Sequence, residues 1–230
     1  MNDNWRKLLV LAFLLFGGCN SLPPGDVSAI HNAPALSRQG NVILLRGWRG
    51  LYSTGIDQLA DELRAQGVQA IPFRESQWRD LVGPIVTLQH DHASSEPLVL
   101  IGFSYGADNA IALSRELDAK DVRVTLLITI DPVTPPKVPI FVVECYNFYR
   151  SNGVWDVFPF FRGVPLEADP VSRLPIQNIN LQDHLELDDP GMGHTHIAGS
   201  AKVHQAIIAQ VLKLCPPREA QRPTTRNAVE

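Results

Sequence analysis

The chain has 230 residues, 45% of them hydrophobic and 19% charged, with 18 prolines and 16 glycines. That length and composition suit a single globular domain with a sizeable core. A formal charge of −4, with no Lys/Arg cluster, argues against a nucleic-acid surface.

At the front, "MNDNWRKLLVLAFLLFGGCNS" sets Arg6 and Lys7 before an apolar run from Leu8 to Phe16, followed by small residues. This is the pattern of a secretory signal. The run is shorter than the roughly 20 residues a spanning helix needs. Phe16-Gly17-Gly18-Cys19 resembles the lipobox of bacterial lipoproteins, with Phe16 where an aliphatic residue is usual. The resemblance implies a signal peptide over residues 1–18 and Cys19 as a lipidated mature N-terminus. With Asn20 rather than Asp after the Cys, it implies an outer-membrane location facing the periplasm. Acyl chains would then hold the protein to the bilayer by burial of CH₂ groups. Cys145 and Cys215 remain, an even pair for which a disulfide and two buried free thiols are the alternatives.

Residues 19–40 form a polar, Pro-containing spacer ahead of a domain spanning 41–215. "NVILLRGW" predicts a buried strand running into a turn. "STGIDQLADELRAQG" predicts a helix with Ile56, Leu59, Ala60 and Leu63 on one face, a Thr54/Asp57 capping box and Gly67 at its end. "VQAIPF" is the next short strand. "SQWRDLVGPIVTLQHDHA" is helical in period, although Gly83-Pro84 should start, bend or break it. A strand "PLVLIGF", a helix "ADNAIALSRELDAK" and strands "VRVTLLITI", "VPIFVVECY" and "IQNINLQ" follow. A last amphipathic helix covers about 199–214. Residues 216–230, polar and Pro-rich, read as a disordered tail. Alternation of strand and helix predicts a mostly parallel sheet of about six strands with helices on both faces.

Chemistry concentrates at Gly102-Phe103-Ser104-Tyr105-Gly106, a G-x-S-x-G sequence between a predicted strand and a predicted helix. Such a turn lifts a serine hydroxyl above the strand ends and aims the first helix amides at it. The competing reading is a structural serine in a Gly-rich crossover. A nucleophilic serine needs a base, and the loop "DDPGMGHTHIAGS" offers His194, preferred, and His196. Asp131, directly after a strand, is the preferred acid. Glu144, Asp156, Asp183, Asp188 and Asp189 remain alternatives. The Tyr105 N–H and the Trp48 N–H, the latter in the turn after the first strand, would form an oxyanion hole. Two H-x-H pairs, His90/His92 and His194/His196, lack the further ligands a metal site needs, so no metal or other cofactor is expected.

Taken together, "LLRGWRG", "GFSYGADNAIALS", "ITIDPV" and "GHTHI" resemble the α/β-hydrolase superfamily, and within it small bacterial enzymes of lipase or thioesterase type. The resemblance covers about residues 40 to 214. An N-Y-Y-like motif in "VPIFVVECYNFYRSNG" after the D-P-V turn supports Asp131 as the acid. Two features depart from the pattern: Arg46 stands where lipases usually carry His, and no antiparallel strands precede "NVILL". The resemblance implies a three-layer α/β-hydrolase-type fold, trimmed at its N-terminal end. It also implies a serine hydrolase cleaving a small-molecule ester or thioester, with an acyl-containing substrate among the options. Aromatic residues between Tyr146 and Pro175, Trp155 and Phe160 among them, would line an apolar substrate site or simply pack the segment down. The alternative from another class is a lipoprotein that keeps the fold as a binding or structural module, with its site idle.

Overall fold

In the structure, a computed structural model describing residues 22–50, 53–91, 96–151, 153, 163–189 and 191–218, the apolar runs become strands of one sheet. The strands are β1 (Asn41–Leu45), β2 (Gln69–Phe73), β3 (Leu98–Phe103), β4 (Val124–Ile130), β5 (Val142–Tyr149) and β6 (Ile176–Asn180). Their order is β2-β1-β3-β4-β5-β6, and every neighbouring pair is parallel. The helices are α1 (Ala29–Asn32), α2 (Thr54–Ala65), α3 (Trp78–Asp91), α4 (Tyr105–Asp118) and α5 (Ala201–Leu214). Among the described residues no strand precedes β1, as the trimmed fold requires, and no helix is long and apolar enough to cross a membrane.

Side-chain alternation along the central strands supplies two cores, one on each face. Val42, Leu44, Val99, Ile101, Leu126 and Ile128 meet Ile56, Leu59 and Leu63 of α2 and Val203, Ile207 and Val211 of α5. On the other face, Ile43, Leu45, Leu98, Leu100 and Leu127 meet α3 through Leu81 and Ile85 and α4 through Ile111 and Leu117. Strands covered on both faces must be apolar without a break, and β3 is buried at all six positions. Each fully buried Leu or Ile contributes about 1.5–3 kcal/mol of transfer free energy. The chain leaves β1 to one side for β2 and to the other for β3. Parallel sheets open a crevice at the carboxyl ends of the strands where their order reverses in this way.

Several expectations need correction. The late strand begins at Val142 and runs to Tyr149, because Pro139 has no N–H for a ladder, leaving Val138 in an isolated bridge to Ala168. The helix over Gly83-Pro84 is continuous from Trp78 to Asp91. Burial of Leu81, Ile85 and Leu88 on one stripe outweighs the loss of one intrahelical bond. The capping box does not form: Ser53 is the N-cap of α2, and the Asp57 carboxylate takes the Arg46 guanidinium instead. Gly67 does turn the chain out after α2, at φ 83°.

The disulfide is also absent, and the two cores explain why. Cys145 lies in the core under α3 and α4, Cys215 in the core under α2 and α5, so the sheet separates them. Both are buried free thiols, and burial pushes Cys145 up to about 12 and Cys215 to about 11. At the margins, residues from the spacer and the tail pack on the domain. Ile30 of α1 joins a core, and the Arg218 N–H donates to the Ser37 carbonyl at 2.8 Å.

Candidate active site

The site is built from the turns that leave β1, β3 and β4 at their carboxyl ends. Ser104 follows β3 directly and adopts φ 56°, ψ −126°, a conformation that favours glycine and is tolerated here because the surroundings fix it. Its N–H donates to the Ile130 carbonyl at 2.9 Å, so β4 holds the elbow in place. The flanking glycines are needed by close approach. A Cβ on Gly102 would stand 2.3 Å from the Gly106 carbonyl oxygen, and one on Gly106 would stand 2.3 Å from that of Arg46. Only bare backbone lets α4 start this close to the ends of β1 and β3.

Asp131 follows β4 directly, also at positive φ (51°), and is fully buried. Its Oδ1 accepts the Arg150 N–H at 2.7 Å. Gly163 lies against that same oxygen, so closely that an added Cβ would fall 1.9 Å from it. Asp108, one turn into α4, accepts from the Val133 N–H at 3.0 Å and the Thr134 N–H at 2.9 Å. The helix that begins at the serine thus also holds the turn that carries the acid.

His194 lies between them. Its Nδ1–H donates to Asp131 Oδ2 at 2.9 Å, and its Nε2 accepts the Ser104 hydroxyl at 2.9 Å. The tautomer follows from the partners: an ionised carboxylate only accepts, so Nδ1 carries the proton and Nε2 offers a lone pair. The ring packs on Phe103 with centroids 5.4 Å apart. Ile197, three residues on, is fully buried in the core under α2 and α5.

The alternatives fall elsewhere. His196 is exposed and meets Thr195, and Asp188 pairs with Arg150 rather than with a histidine. Asp189 faces Lys202, Asp183 accepts from Asn180, and Glu144 faces Lys213. Asp156, Trp155 and Phe160, like Cys19 and the signal segment, lie outside the described residues. Phe148 and Tyr149, aromatic residues of the same stretch, belong to β5.

The turn read as an oxyanion-hole element is a short 3₁₀ turn at Trp48–Gly50, and Tyr105 is the first residue of α4. Side-chain ties hold that turn. The Gly47 N–H donates to Ser53 Oγ at 2.9 Å, and the Arg49 N–H donates to Glu75 Oε1 at 2.9 Å. Arg46 is buried and grips Asp57 while its Nη1 donates to the Pro23 carbonyl. Nothing in the sequence marks Arg46, Asp108 or Arg150 for these roles. Their partners lie too far along the chain to be seen as motifs.

No family model and no curated relative matches the chain. Solved structures resemble it remotely. The NocB thioesterase domain from the nocardicin cluster aligns at 12% identity over 75% of this chain and 94% of that one, with a TM-score of 0.45. The surfactin-cyclising thioesterase domain SrfTE aligns at 11% identity over 85% and 98%, with a TM-score of 0.45. A putative hydrolase of the α/β superfamily from Xanthomonas campestris pv. campestris aligns at 14% identity over 75% and 99%, with a TM-score of 0.39.

Proposed function

We propose that the protein is a serine hydrolase that cleaves a carboxylic ester or thioester through an acyl-enzyme at Ser104. The unbroken relay from Ser104 through His194 to Asp131, with both hydrogen bonds at 2.9 Å, carries this reading. In the first half-reaction His194 Nε2 takes the Ser104 proton as Oγ attacks the substrate carbonyl. The Tyr105 and Trp48 N–H groups receive the oxyanion, and the imidazolium is stabilised by Asp131. Collapse breaks the bond to the alcohol or thiol, which leaves with the proton from His194. In the second half-reaction water gives a proton to His194 and its hydroxyl to the acyl carbon, releasing the acid and restoring Ser104. Each oxyanion donor is worth about 10²–10³ in rate.

An idle binding module would have no need to keep a buried, strained serine aligned with a base and an acid, so the relay favours an enzyme. Trp155 and Phe160 belong to this proposal as an apolar wall for an acyl group. So does anchoring through Cys19 at the outer membrane, for which the lipobox is the support. The direct test is hydrolysis of p-nitrophenyl butyrate and of an S-butyryl thioester. Wild type should turn over at least one of them, and Ser104→Ala neither. Equal rates in both proteins would remove the proposal. Loss of metabolic palmitate label in Cys19→Ala would support the anchor, and retained label would refute it.

A further inference from the structure

We infer that Arg150 is a positioning residue for His194, an inference that rests on the serine-hydrolase reading above. Arg150 stands one residue beyond β5, where its backbone and its side chain serve two different parts of the relay. Its N–H donates to Asp131 Oδ1 at 2.7 Å, leaving Oδ2 for the imidazole. Its guanidinium reaches the other way: Nε donates to Asp188 Oδ1 and Nη2 to Asp188 Oδ2, each at 3.2 Å. Asp188 lies on the loop that carries His194. A single residue therefore ties the acid to the loop that bears the base.

That loop needs such a tie. It leaves the sheet after β6, the edge strand, and among its described residues no further strand fixes its height before α5. Local turns carry the constraint forward from Asp188. The Met192 N–H donates to the Asp189 carbonyl at 3.0 Å, and the His196 N–H donates to that of Gly193 at 2.9 Å. Lys202 Nζ donates to the Asp188 carbonyl at 2.9 Å and secures the same point from the α5 side. The Arg150 and Asp188 side chains are only 21% and 16% exposed, so water competes poorly for their hydrogen bonds. A planar guanidinium fork holds the carboxylate in direction as well as distance, which a lysine ammonium cannot do.

Substitution separates the two arms, because any residue other than proline keeps the N–H to Asp131. The probe is an alkyl fluorophosphonate, with the second-order rate of Ser104 labelling as one readout. The other is the downfield proton resonance of the His194 Nδ1–H, which reports the Asp131 hydrogen bond and does not depend on reaction. Arg150→Met and Asp188→Asn should each slow labelling about 10- to 100-fold, since a misplacement near 1 Å can cost that much. The resonance should broaden or vanish in both, with the circular dichroism spectrum unchanged. Arg150→Lys should recover part of the rate and the resonance. The double variant should be no slower than the slower single one, because both remove the same tie. Wild-type labelling rate and an unchanged resonance in Arg150→Met would overturn the inference, as would additive losses in the double variant. Failure of the wild type to label would instead remove the hydrolase reading, and the resonance would still decide the role of Arg150.

Discussion

The nucleophile and the acid are held differently from the base. Ser104 and Asp131 each stand on the first residue after a central strand, at positive φ; Gly102 and Gly106 let the backbones close around the elbow, and Gly163 lies against the Asp131 carboxylate. Their positions are set by steric contact and by the β3–β4 pairing, which continues into the Ser104 N–H bond to Ile130. His194 stands on a long loop beyond the edge strand; polar ties through Asp188, Arg150 and Lys202 hold it, beside the packing of its ring on Phe103 and of Ile197 in the core. A relay of this kind has two rigid ends and one adjustable middle. Atoms added at Gly106 or Gly163 should damage the ends severely, whereas removing the polar ties should act on the middle.

The largest effect is expected at the elbow. Gly106→Ala would set a Cβ 2.3–2.4 Å from the Arg46 and Leu45 carbonyl oxygens, so α4 must move off β1. Thermal unfolding should show a loss of about 2–4 kcal/mol or failure to fold. A stable Gly106→Ala variant with full activity would break the distinction. Gly163→Ala comes next, since its Cβ would displace Asp131 Oδ1. Ester hydrolysis should fall by at least about 10²-fold, as for a misplaced reacting group.

Strain at the nucleophile predicts a smaller change with the opposite sign. Ser104→Gly should be more stable than Ser104→Ala by about 1 kcal/mol in urea titrations, because glycine accepts φ 56°, ψ −126° and offsets its own entropy cost. On the polar side, Lys202→Met should cost only a few-fold in rate with little change in unfolding midpoint, because Arg150 still holds Asp188. A large loss of stability there would mean that the loop is fixed as rigidly as the elbow. The smallest effect concerns the thiols. Burial raises both above their ordinary value, so at pH 8 both are protonated in the folded protein. Iodoacetamide, which needs the thiolate, should label neither Cys145 nor Cys215 until the protein unfolds.

The same contrast governs what could be read from the chain. The rigid parts are local: a strand, a G-x-S-x-G turn and a helix are contiguous, and Asp131 is marked by the end of "VRVTLLITI" and the proline after it. The sheet itself was legible because strands buried on both faces are apolar without interruption. The polar ties were not. Arg150 to Asp188, Asp108 to the Val133-Thr134 turn and Arg46 to Asp57 join residues by topology, with no periodicity to mark them. For Cys145 and Cys215 the sequence leaves a bond and two free thiols open, and only the sheet between them decides for the thiols. Pro84 inside α3 shows tertiary packing overriding a local rule.

The central claim, that Ser104 is a nucleophile activated by His194, is tested most directly by intact-mass analysis after treatment with an alkyl fluorophosphonate. One phosphonyl adduct is predicted on wild type, mapped to the peptide containing Ser104. None should form on Ser104→Ala, and His194→Ala should form it far more slowly. No adduct on wild type, or the same adduct on Ser104→Ala, would contradict the account.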